Sequence, residues 1–231
     1  MRSHALLSGL LLVVATGVFG AVNSPTTEQS ENASSAVYLS ELAAKADLVA
    51  VAQVKDTDYV YTRSFPSEGS AFLRILIAYK QNRPGEEIIE VVEKGLHANE
   101  CYFENPTVFE EGRRYLIFFR ISPDQPETYK GMDEGCALEI LVTEDNRYAL
   151  KYPLVGIHVA DNLDELVQGY TFRDNYAVVA DESLSPGDRN NLLERGLIKP
   201  YQDGFKFTHG VDLTSARNLI SPAALKPGKP R

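Results

Sequence analysis

The sequence predicts a mainly β domain, a small barrel or sandwich preceded by a short helix and followed by a partly helical extension. Three observations carry this. Apolar runs rich in Val, Ile, Leu, Phe and Tyr follow one another, separated by turns that hold Gly and Pro. Such a succession indicates strands packed on strands, not strands alternating with helices. Helical spacing occurs only before the first run and after residue 156.

The elements read in order as follows. Between Tyr38 and Ala46, the residues Leu39, Leu42, Ala43 and Ala46 share one helical face, with Ser40 and Glu41 at the start, so a short helix is expected. Asp47 introduces Leu48 to Val54, a β-branched run that continues through Lys55-Asp56-Thr57-Asp58 toward Ser64 as one long or bulged strand. Pro66 and Gly69 mark a turn. Ala71 to Lys80 is a second strand, stopped by Asn82-Arg83-Pro84-Gly85. Glu87 to Glu93 is a third, and Cys101 to Val108 reads as a loop. Glu110 to Arg114 leads into Tyr115 to Ile121, a strongly apolar fourth strand. Leu138 to Thr143 and Tyr148 to Tyr152 form a hairpin about Glu144 to Arg147. Three helical segments are then expected. Asn162 to Tyr170 has apolar residues at helical spacing. Ser185 caps a helix that opens on Pro186 and ends at Gly196, and Asp212 to Leu219 is amphipathic.

Residues 1–20 have the form of a cleavable signal peptide: Arg2 near the start, then an uncharged run from Ala5 to Phe19. A secreted or periplasmic protein is therefore expected, without stable membrane insertion after cleavage. Acylation at the junction needs a cysteine there, and the first is Cys101. Residues 21–36 are Ser, Thr, Asn, Glu and Gln with little apolar bulk, and read as a flexible tether. The formal net charge is -9, spread along the chain. Phosphate-backbone binding relies on clustered Lys and Arg, so no nucleic-acid partner is expected.

Cys101 and Cys136 are the two cysteines of the chain. In an oxidising compartment an even pair is most simply one disulfide. On the loop-entropy account it restrains the unfolded chain by roughly 3 to 4 kcal/mol. A redox pair usually comes as C-x-x-C, which is absent from the sequence.

One stretch carries a resemblance. From Glu41 to Ile121 the phrases ELAAKADLVAVAQV, FLRILIAYK, EIIEVVEKG and FEEGRRYLIFF are similar in layout to exported bacterial proteins related to the netrin and TIMP-like OB-fold modules. A helix ends in an alanine-aspartate step before the first strand, a cysteine follows the third, and Gly112-Arg113-Arg114-Tyr115-Leu116 opens the last core strand. The resemblance implies a small antiparallel OB-like barrel over residues 37–155, with residues 156–231 as an irregular, partly helical extension. Animal inhibitors of this fold present a cysteine at the mature N-terminus to the protease zinc. No cysteine stands near residue 21 or 22, so that mechanism is not implied here.

Catalytic patterns are sparse in the sequence. The histidines His4, His97, His158 and His209 form no zinc pattern, and neither G-x-S-x-G nor a Gly-rich phosphate loop occurs. The acidic residues Asp124, Glu127, Asp133 and Glu134 do not follow the EF-hand pattern. No metal and no cofactor are therefore expected. Aromatics in or near predicted loops, Tyr59, Tyr61, Tyr102, Phe103 and Tyr129, form the expected binding surface. The reading that follows is a non-enzymatic module binding a protein or an extracellular ligand. A hydrolase-type enzyme with a site assembled from dispersed His, Asp, Glu and Tyr, and a structural subunit of a cell-envelope assembly, are the alternatives.

Overall fold

The computed structural model describes residues 36–62, 65–83, 85–94 and 109–221. Cys101, Tyr102, Phe103, His97, the expected leader and residues 21–35 of the expected tether lie outside them. The elements in chain order are α1 (Leu39–Lys45), β1 (Leu48–Thr62), β2 (Phe65–Gln81), β3 (Ile88–Lys94), β4 (Arg114–Ile121), β5 (Tyr129–Gly131), β6 (Ala137–Val142) and β7 (Tyr148–Lys151). They are followed by β8 (Val167–Gly169), β9 (Val178–Ala180), α2 (Pro186–Glu194), β10 (Ile198–Tyr201), β11 (Gly204–Phe207), β12 (His209–Asp212) and α3 (Leu213–Ile220).

Strands β1 to β5 close into the expected barrel, in the order β1-β2-β3-β5-β4 with β4 returning to β1. All contacts are antiparallel except one: β3 meets β5 in parallel at Val91 and Tyr129. β1 shifts register on β2 at four places, and such bulges add the twist that a small barrel needs to close. Alternate residues fill the interior, among them Leu48, Ala50, Ala52, Leu73, Ile89, Val91, Ile117 and Phe119.

The other side chains of the same strands are buried too. Val49, Val51, Leu116 and Phe118 join Leu138, Ile140, Leu150 and Val211 beneath α1 and α3. β1 and β4 are thus covered on both faces, which is why Leu48 to Ala52 and Tyr115 to Phe119 are unbroken apolar runs and not alternating ones. α3 presents Leu213, Ala216 and Ile220 to this layer, and Asp212 caps it by accepting from the Thr214 amide at 2.8 Å. α1 has no cap from its own preceding side chain. The Asp161 carboxylate accepts its Leu39 amide at 2.8 Å instead.

β4 is the branch point of the sheet. One edge runs along β1 from Arg114 to Phe119. The other edge is divided: Phe119 to Ile121 pair with β5 and close the barrel, while Arg114 to Ile117 pair with β6 and lead the sheet outward. The outward branch continues through β7, β12 and β8. β9, β10 and β11 make a separate three-stranded sheet. With α2 they cover β6 and β7 through Leu141, Ala149, Phe172, Ala177, Leu192, Ile198 and Phe207.

Three local expectations change. Pro66 and Gly69, expected to mark a turn, lie within β2, paired with Tyr61 and Tyr59 of β1, so the second strand starts at Phe65 and not at Ala71. Asn162 to Tyr170 is a single 3-10 turn, Asp164–Leu166, running into β8, because β12 offers its backbone as a ladder partner at His209 to Val211. Tyr129, expected in a loop, is instead in β5. The Ser185 cap is as expected, its side chain accepting from the Asp188 amide at 3.1 Å with Pro186 following.

Candidate functional site

Where β4 divides, the sheet turns away from the barrel and a cleft opens between β4, β6 and β7 on one side and β9 and α2 on the other. Its volume is about 790 Å³. The floor follows from strand alternation. Leu138, Ile140 and Leu150 point to α1 and α3, so Glu139 and Lys151 point the opposite way, into the cleft. Val155, Val178, Val179, Leu184, Leu192 and Phe207 supply an apolar wall.

The floor is a chain of ion pairs. Glu139 uses one carboxylate oxygen for the Arg113 guanidinium and the other for Lys151, whose Nζ lies at 2.5 Å. Arg113 also donates through Nε to Glu110 at 2.7 Å. Each cation rests on a ring: Arg113 over Tyr176 at 4.8 Å from the ring centre, Lys151 over Phe207 at 4.6 Å. Lys151 and Glu139 side chains are each 17% exposed, so the pair is shielded from water without being sealed. Tyr115 stands beside them. Burial pushes its hydroxyl well above the ordinary tyrosine range, and the neighbouring Glu139 carboxylate adds to this. It is a protonated hydroxyl at neutral pH.

The rim is built by a turn. Glu110 to Arg113 closes on an Arg113 N–H bond to the Glu110 carbonyl at 3.2 Å, with Gly112 at φ +84. That left-handed backbone is one that glycine adopts without steric cost. The Gly112 amide donates to Val54 and its carbonyl accepts from the Gln53 side chain at 3.0 Å, so the turn is anchored to β1. Tyr176 reaches across to donate to the Glu111 carbonyl at 2.8 Å. Asp174 accepts from Arg114 and from the Val142 amide, both at 3.3 Å, which fastens the covering segment to the sheet that forms the floor.

The aromatic residues expected as a binding surface are elsewhere. Tyr59 and Tyr61 are together on β1, edge to face at 6.3 Å. Tyr61 is 59% exposed, while Tyr59 is half-buried and donates to the Phe109 carbonyl at 2.8 Å. Tyr129 is not on a surface: it is 1% exposed, its hydroxyl donates to Glu86 at 2.8 Å and Arg83 covers its ring. Tyr102 and Phe103 lie outside the described residues. Asp133 and Glu134 hold Arg120 and Lys45 respectively, at 3.1 and 2.5 Å. Among the described residues no group of three or more His, Cys, Asp or Glu side chains is arranged to hold a metal ion. No described helix is long and apolar enough to cross a membrane.

Arg113, Glu139 and Lys151 were not among the sequence candidates. The available signal was a charge within each apolar strand of the hairpin, Leu138-Glu139-Ile140 and Leu150-Lys151, in a sheet otherwise covered on both faces. No protein family, no curated protein and no solved structure matches this chain.

Proposed function

We propose that the chain is an exported, non-enzymatic binding module, related to the netrin and TIMP-like barrels, whose ligand occupies the cleft beside the barrel. One observation carries the reading: an apolar wall faces a small set of convergent polar groups, Arg113, Glu139, Lys151 and Tyr115, within about 790 Å³. That combination of size and lining is typical of small-ligand sites. The barrel interior supports it, since among the described residues Leu48, Leu73, Ile117, Phe119 and Tyr129 fill it. In this reading Cys101 pairs with Cys136, which is buried beside the barrel core.

The test is to express the full chain with its leader, recover it from the compartment to which it is sent, and weigh it by native mass spectrometry. A bound molecule is expected. It should be lost from Leu184→Trp, which fills the cleft from its wall. A chain that carries nothing, or a molecule retained by Leu184→Trp, overturns the reading.

A further inference from the structure

We infer that the cleft takes a small amphiphile consisting of one carboxylate on an apolar body; this rests on the binding reading above and names the chemistry of its ligand. The first argument is charge. The floor sets two cations, Arg113 and Lys151, against one enclosed carboxylate, Glu139. Two further carboxylates line the cleft, Glu110, 57% exposed at the rim, and Asp188, exposed in the first turn of α2, and water screens both. The enclosed part therefore keeps a local positive charge in a chain of net charge -9.

The second argument is donor supply. An ammonium has three N–H groups and a guanidinium five. Lys151 makes one hydrogen bond, to Glu139, and Arg113 makes two, to Glu110 and Glu139. Each Glu139 oxygen already accepts from one cation, and among the described residues both cations keep further N–H groups beyond these bonds. The protonated Tyr115 hydroxyl points to the same conclusion. A ligand that brings acceptors and a negative charge completes this floor; a ligand ammonium meets two cations.

The third argument is the opposite wall. Val155, Val178, Val179, Leu184, Leu192 and Phe207 offer no charge and reward an aliphatic or aryl body. Phe207 is shared between the two regions, since Lys151 sits over its ring. The carboxylate end and the apolar end of one molecule thus meet adjoining parts of the cleft.

Octanoate and 1-octanol, equal in chain length, separate charge recognition from simple greasiness in a calorimetric titration of the full chain. Octanoate is expected to bind about tenfold tighter than 1-octanol, the size of one charge-assisted hydrogen bond. Lys151→Met should erase that preference, and Glu139→Gln, which removes the competing carboxylate, should strengthen octanoate. Equal binding of the two probes, no binding of octanoate, or an undiminished preference in Lys151→Met overturns the assignment. If Lys151→Met does not fold, the wild-type ratio of the two probes decides alone. A chain that retains a co-purified molecule yet prefers 1-octanol keeps the binding reading and loses this one.

Discussion

The carboxylate of Asp47 accepts the backbone N–H of Ile121 at 2.8 Å. Its other oxygen accepts from the Asn82 side chain at 2.8 Å, and its backbone amide donates to Phe119 at the same distance. One residue thus ties the start of β1 to the end of β4 and to the end of β2, where the barrel closes. Asp47→Ala leaves the Ile121 amide without that acceptor, and hydrogen bonds to a charged group contribute about 1.5 to 3 kcal/mol. Urea unfolding should show a loss of about 2 kcal/mol; an unchanged midpoint would remove the clamp from this account.

Gly112 is the residue on which the cleft rim turns. At φ +84 an alanine is strained, and its Cβ would stand 2.4 Å from the Tyr176 hydroxyl. Tyr176 must then move and give up its bond to Glu111. Gly112→Ala is expected to lose about 2 kcal/mol, with Gly112→Asn costing less, because asparagine tolerates the left-handed region. Equal losses for the two variants would show that steric contact, not backbone conformation, sets the cost.

Two buried tyrosines set an alkaline limit. Tyr115 and Tyr129 are both held well above the usual tyrosine value, in each case first by burial, with Glu139 and Glu86 respectively adding to it. The unfolded chain ionises these phenols near pH 10, before the folded chain does, so folding stability is intact below that pH and falls as pH rises past it. Ultraviolet titration should reveal tyrosines that ionise late, and Tyr115→Phe or Tyr129→Phe should each soften the alkaline loss. A titration in which every phenol ionises together near pH 10 would contradict this.

The proposed pairing of Cys101 with Cys136 is checked by peptide mapping without reductant. A linked peptide holding both residues is expected. Reduction should then lower stability by roughly 3 to 4 kcal/mol on the loop-entropy account. Two free thiols in the freshly isolated chain would end the proposal.

Much of the barrel is legible in the sequence because its strands are long and covered on both faces. Leu48 to Val54 and Tyr115 to Ile121 announce themselves as uninterrupted apolar runs, and Asp47 and Gly112 stand at their boundaries for reasons the hydrogen bonds explain. Strand β5 is not legible: three residues, Tyr129–Gly131, carry no period, and the neighbouring acidic residues made the segment read as a loop. The same holds for β8 and β12, whose pairing partners are far away in the chain.

The cleft was hidden for a different reason. Arg113, Glu139 and Lys151 come from three separate segments, and each by itself is an ordinary charge in a strand or turn. Local sequence determined the long apolar strands such as β1 and β4 and that the helices α2 and α3 begin at Ser185 and Asp212. Only the tertiary structure decided that β4 divides its edge between β5 and β6. That division turns one face of the hairpin away from the barrel and brings three distant charges together under an apolar wall, because strand alternation fixes a side chain's face only once its neighbours in space are fixed.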